Sequence, residues 1–142
     1  MSRKLFTAGC VVLILLGLVH LLGHYHLVTS AGSTEHDRQV ITGMKSDPRD
    51  MGLGMKRAIF DFLAGLSLAF TVLSLGMGVA GFVVRSHAAS APGLLRQVAF
   101  AYAGTWTAMT GVGLYYLFPA PLAFIIPTAL LFAAAGLTAP RS

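Results

Sequence analysis

The residues best suited to chemistry are two histidines and an aspartate at the ends of two apolar segments. His20 and His24 are four residues apart, so they share one face of a helix. Asp61 opens the next apolar segment, which reverses direction and begins at the same surface. Two imidazoles and a carboxylate supply three ligands for Zn²⁺ or another divalent metal, with a fourth position left for water. The sequence thus offers a candidate metal site at His20, His24 and Asp61.

A structural interpretation of the same residues outweighs the metal site. Histidines and tyrosines at a membrane surface commonly anchor the end of a helix, and Tyr115 and Tyr116 end a later apolar segment at that surface. A carboxylate in the first turn of a helix is favoured by the helix dipole, which accounts for Asp61 without a ligand. His20 lies about one turn inside the apolar zone, where an ionisable side chain needs a partner.

Other catalytic and cofactor chemistries have little support. One cysteine, Cys10, excludes an internal disulfide and a cysteine-based metal centre. The letters from Gly76 to Gly81 match a dinucleotide-binding pattern, but they fall inside an apolar stretch instead of between a strand and a helix. Haem ligation by two histidines within one chain is disfavoured because His87 lies at the opposite surface, which leaves a single-histidine haem or one shared between subunits. We predict no catalytic residue and no cofactor, and expect that the protein is not an enzyme.

The elements that must position these residues are four apolar segments. Only 11% of the 142 residues are charged, against about 25% in soluble proteins. Uncharged runs predict membrane spans at about 5–27, 59–84, 97–117 and 122–138, the last two separated by the prolines at 119 and 121. The polar loop 29–57 could hold a short interfacial helix. The fold prediction is all-α, a single integral membrane domain over 1–142, with four helices running up-down-up-down.

Charge gives the expected orientation and excludes one class of partner. The formal charge is +5, but the basic residues form no continuous face, so we expect no nucleic-acid binding. Lysine and arginine divide equally between the two predicted surfaces, and Arg3 and Lys4 before the first span favour cytoplasmic termini. The first span also resembles a signal peptide with a cleavage site near Thr29. Its apolar run is longer than such segments usually are, which favours a retained anchor.

Small residues indicate where the helices pack. In the second span they recur at spacings of four and three on one helical face: Ser67, Thr71, Ser74, Gly78 and Gly81. The third and fourth spans carry similar sets, and we expect these faces to meet: Ala101, Gly104, Thr105, Ala108 and Gly111, then Ala129, Ala133 and Gly136. Beyond the lipid bilayer, the expected partner is a second copy or another membrane protein.

Two segments, Leu15–Leu22 ending the first span and Phe60–Leu68 opening the second, carry a resemblance to a known class of proteins. With the span count, the chain resembles small, uncharacterised four-span proteins of bacterial inner membranes. The resemblance implies a fold and a location and transfers no activity. The first functional hypothesis is a non-enzymatic membrane component that packs against itself or a partner. The alternative is a protein that binds a metal or cofactor at the outer end of the bundle.

Overall fold

A computed structural model describes residues 1–30, 32–50, 52, 54–88, 91–117 and 119–140 of the chain. Most of the described residues lie in five helices, and six form one short hairpin, which confirms the predicted helical fold class. The five helices are α1 (Ser2–Thr29), α2 (Glu35–Ser46), α3 (Ile59–His87), α4 (Pro92–Tyr116) and α5 (Pro119–Thr138). The hairpin pairs β1 (Pro48–Asp50) with β2 (Lys56–Ala58) in antiparallel register.

Three of the helices, α1, α3 and α5, are long and apolar enough to cross a membrane. At a rise of 1.5 Å per residue, the 28 residues of α1 and the 29 of α3 each exceed what a hydrocarbon core of about 30 Å requires. Helix α4 is also long, but Arg96, Gln97 and its threonines and tyrosines make it less apolar. Length and composition thus support the predicted membrane character.

The two prolines that we expected to separate the last two spans, at positions 119 and 121, lie in a helix. Helix α4 ends at Tyr116, and the Leu117 N–H donates to the Gly113 carbonyl at 2.9 Å. Helix α5 then begins at Pro119. Proline suits the first turn of a helix because its missing N–H would have no partner there and its φ is already helical. Pro119 and Pro121 therefore start the fourth apolar helix.

The predicted polar loop contains helix α2, which is held by local contacts. Thr34 Oγ1 accepts a hydrogen bond from the Asp37 N–H at 3.1 Å, and the Thr34 N–H donates to Asp37 Oδ2 at 3.0 Å. This reciprocal pair forms a capping box. Arg38 adds an ion pair with Glu35 at 3.0 Å on the exposed surface. None of the residues of α2 is buried.

The chain divides into two compact units. The terminal unit comprises Met1–Leu18 and Leu73–Ser142, and the loop unit comprises Val19–Val72. Helices α1 and α3 each contribute to both. The expected single domain over 1–142 stays a prediction.

In the terminal unit, aromatic side chains from three helices form the centre of the core. Phe6 on α1 and Phe132 on α5 are fully buried, with ring centroids 5.2 Å apart. The ring of Tyr102 on α4 lies 5.0 Å from Phe132, and its hydroxyl donates to the Met77 carbonyl on α3 at 3.1 Å. All four long helices therefore meet in this core.

Helices α1 and α3 run antiparallel and approach closely in the terminal unit. A Cβ added at Gly17 would lie 2.7 Å from Leu75 Cγ, and one at Gly78 would lie 2.7 Å from Ile14 Cγ1. One turn further along α3, a Cβ at Gly81 would overlap the buried Cys10 Sγ. Later residues of α3 therefore contact earlier residues of α1, which shows that the two helices are antiparallel.

Candidate functional site

The small-residue face predicted on α3 is occupied by contacts within the chain. Thr71 and Ser74 are buried, with 2% and 0% of their surface exposed. The close neighbours of Gly78 and Gly81 lie on α1, where we expected α4 and α5. Close approach of these two backbones is possible because glycine has no side chain.

A signal for this pairing exists in the sequence of α1, a helix on which we predicted no packing face. Cys10, Leu13, Gly17 and His20 recur at spacings of three and four and therefore share one helical face. Cys10, Leu13 and Gly17 are buried. This face of α1 packs on α3, so His20 lies beside the small-residue face of α3.

His20 lies against Ser67 in the loop unit. The two side chains share a hydrogen bond of 3.1 Å between Nε2 and Oγ. The ring of Phe70 packs edge-on to the imidazole, with centroids 4.9 Å apart. A half-buried histidine inside an apolar helix thus has the polar partner that its position requires, and Ser67, predicted as a packing residue, supplies it.

His24 and Asp61 are placed differently. The His24 Nδ1 is buried and has no hydrogen-bond partner among the described residues. Asp61 is exposed in the first turn of α3. Within the described ranges, no three or more His, Cys, Asp and Glu side chains lie close enough to hold a metal ion. The structure therefore does not gather His20, His24 and Asp61 into one ligand set, and the metal site stays a prediction.

A cavity of about 380 Å³ lies where α1 leads into α2, and no motif in the sequence indicated it. Its wall includes His26, Ser33, His36 and Asp37. Hydrogen bonds from Thr34 and Ser33 hold the pKa of the Asp37 carboxyl below its ordinary value of 3.8. Because those bonds cap helix α2, the only carboxylate of the described wall is engaged in local structure.

The small residues of α4 form an open face, in contrast to those of α3. Exposed along one side of this helix are Ala101, Gly104, Thr105, Ala108 and Gly111, which we term the α4 small-residue face. Nothing among the described residues lies within 4 Å of a Cβ added at Gly104 or Gly111. The Thr105 hydroxyl donates to the Ala101 carbonyl at 3.0 Å, so it is satisfied within the helix. The face therefore presents bare backbone without an unsatisfied polar group.

The tyrosines that end α4 are exposed. Tyr115 and Tyr116 have 81% and 76% of their surface accessible, and their ring centroids lie 4.6 Å apart. Trp106, two to three turns earlier, is buried at 1% exposure on the opposite side from Gly104 and Ala108. One side of α4 thus contributes to the core while the other is exposed.

No protein-family model, curated protein or solved structure matches the chain.

Proposed function

We propose that this chain is an integral membrane protein whose four long helices cross the bilayer up-down-up-down, and that it acts as a non-enzymatic membrane component by self-association through α4. The proposed location is a bacterial inner membrane with cytoplasmic termini. Helices α1, α3 and α5 have the length and composition for crossing. The resemblance of two segments to small inner-membrane proteins supports the location.

Contacts with α5 support α4 as the remaining span. Near one end of the pair, Leu122 lies against Gly113, and near the other end Phe100 lies against Gly136. The two helices are thus antiparallel neighbours over most of their length. A helix packed in this way beside a membrane-crossing helix lies at the same depth, and Tyr115 and Tyr116 at its end suit the headgroup region.

The observation that carries the proposed function is the α4 small-residue face. Lipid tails are as apolar as leucine, so helices in a bilayer associate where small residues allow the backbones to approach. The corresponding face of α3 is already covered by α1, whereas that of α4 has open space at Gly104 and Gly111. A second copy supplies an identical face, and two such faces meet about a two-fold axis.

Bulky substitutions on α4 test the self-association. Gly104→Ile and Ala108→Ile should shift the protein from dimer to monomer in native mass spectrometry from mild detergent. Gly76→Ile is the matched control, since Gly76 is also exposed with open space around it, but lies on α3. Thr105→Cys should give a disulfide-linked dimer in membranes, because the native Cys10 is buried and cannot compete. A monomeric wild-type protein without such a crosslink would refute self-association.

A second candidate function, ligand or metal binding at His20 and His24, is favoured by the buried Nδ1 of His24 without a partner among the described residues. A buried polar atom without a hydrogen-bond partner destabilises the folded protein, and coordination to a bound cation would give this nitrogen a partner. Metal analysis and an absorption spectrum of protein prepared without chelator test this function. Equal metal content in wild type, His20→Ala and His24→Ala would count against it.

A further inference from the structure

The charges of the chain are divided unequally between its two units. All five acidic residues lie in the loop unit, together with five of the ten basic residues, so that unit is neutral. The terminal unit holds the other five basic residues and no acid: Arg3, Lys4, Arg85, Arg96 and Arg141. The whole net charge of +5 therefore belongs to the terminal unit. Its cations have no acidic partner within that unit.

A cavity of about 320 Å³ lies at the end of the terminal unit where α1 begins. Two of these cations, Arg3 and Lys4, line it together with Ser2. The rest of the described lining is apolar: Met1, and from three other parts of the chain Ala88 after α3, Leu95 in the first turn of α4, and Pro140 after α5. The cavity thus combines a cationic wall with an apolar one.

Two further observations favour an anion at this cavity. The first turn of α1 contains no acidic residue, so Arg3 and Lys4 are placed at the positive end of the helix dipole, where cations are unfavourable. Ser2 is only 8% exposed, and its hydroxyl makes no hydrogen bond with a described residue. An anion in the cavity would compensate both cations and accept a hydrogen bond from Ser2.

We propose that this cavity binds the phosphate of an anionic phospholipid headgroup. Arg3 offers a planar pair of donors that matches phosphate oxygens, and Lys4 adds a point charge. The apolar wall of Ala88, Leu95 and Pro140 accommodates the glycerol end of the lipid, which a free phosphate ion lacks. The inference rests on the proposed crossing of the bilayer by α1 and α5, which puts the cavity at headgroup depth, and does not depend on self-association through α4.

The test uses the full chain purified in an uncharged mild detergent, with lipid retention and affinity measured by native mass spectrometry. The probes are phosphatidylglycerol, zwitterionic phosphatidylcholine and inorganic phosphate. We expect retention of one phosphatidylglycerol in preference to phosphatidylcholine. Arg3→Gln or Lys4→Gln should each weaken that binding about 5-fold. The double variant should weaken it about 30-fold, because the contributions of the two basic residues to the binding free energy add.

Two controls distinguish lipid binding in this cavity from general electrostatic attraction between anionic lipid and the positively charged terminal unit. Arg85→Gln removes an equally unpaired charge of the same unit that does not line the cavity, so it should leave the affinity within about 2-fold of wild type. Ala88→Leu fills the cavity without changing any charge and should abolish retention, with circular dichroism confirming an intact helical fold.

Three results would overturn the proposal. These are equal losses from Arg85→Gln and Arg3→Gln, undiminished lipid retention by Ala88→Leu, and binding of inorganic phosphate without a preference for phosphatidylglycerol. The last result would assign the cavity to a free anion. The oligomeric state appears in the same spectra, so failure of lipid binding and failure of self-association are read separately.

Discussion

Substitution of alanine for Gly78 tests the close approach of α1 and α3. The added Cβ would lie 2.7 Å from Ile14 Cγ1 and 3.1 Å from the Cys10 carbonyl oxygen. The second neighbour is backbone and the first is near the base of its side chain, so neither moves cheaply. Overpacking of this kind costs about 1–3 kcal/mol, and alanine offsets about 1 kcal/mol of it through helix propensity. The expected net destabilisation is thus about 0–2 kcal/mol.

Gly76→Ala is the matched control on the same helix, two residues earlier. No described atom lies within 4 Å of a Cβ at Gly76, so this variant gains helix propensity without a clash and should be stabilised by up to about 1 kcal/mol. The two variants should therefore differ by about 1–3 kcal/mol in free energy of unfolding. SDS titration of the protein in mild detergent, followed by circular dichroism, measures that difference. If Gly78→Ala is as stable as Gly76→Ala, the α1–α3 contact at this position is wrong.

Three other predictions concern separate parts of the chain. Because hydrogen bonds depress the pKa of Asp37, its contribution to α2 is complete above the ordinary value of 3.8 and is lost as pH falls through the lower folded value. The protection factors of the first α2 amides against hydrogen exchange, corrected for the intrinsic pH dependence of exchange, should therefore fall only in that acid range. Ser67→Ala should lower the free energy of unfolding by about 0.5–1.5 kcal/mol because it removes the hydrogen bond to His20. Ser74→Ala should lower it less, since the Ser74 hydroxyl is buried with no partner among the described residues. Equal destabilisation by the two variants in unfolding titrations would contradict the His20–Ser67 hydrogen bond. Cys10 is fully buried, so a maleimide should label it only after SDS unfolding, and rapid labelling of folded protein would disprove its placement.

The apolar helices could be predicted from sequence because charge is excluded from them over long runs. Predicted spans at 5–27 and 59–84 correspond to α1 and α3, which extend two to three residues further at most ends. The other two spans differ at their starts: α4 begins at Pro92 instead of about 97, and α5 begins at Pro119 instead of about 122. Proline between apolar runs is compatible with either a turn or a helix start, and sequence alone does not distinguish them.

The contents of the polar loop were harder to predict. Helix α2 starts with a capping box in which Thr34 is the N-cap and Asp37 is the third residue of the helix. Glutamate or glutamine usually occupies that third position, so the motif was not evident from the sequence. The strands of the hairpin have three residues each, which is too short to show an alternating pattern. Gly52 and Gly54 lie between the strands with φ of 97° and 74°. In the sequence, these two glycines are the feature that indicates a tight reversal of the chain.

Helical periodicity identified faces but not neighbours. It placed Ser67, Thr71 and Gly78 on one side of α3, yet it contains no information on which helix covers that side. The pairing of His20 with Ser67 depends on how α1 and α3 slide past each other, and the long connection between them does not fix that offset. Such contacts follow from three-dimensional packing and are inaccessible to a one-dimensional pattern.

The absence of any buried residue in α2 has a consequence for the tolerance of the chain to cutting and insertion. Helices α1 and α3 contact each other through side chains and backbone that do not include α2, in the terminal unit at Gly78 and in the loop unit at Ser67. Cleavage after Arg38 or after Lys45, where trypsin would act, therefore removes covalent continuity without removing any of those contacts. Two fragments made separately would retain the surfaces needed to reassemble, and this connection is the place where a reporter domain could be inserted at least cost to the helices.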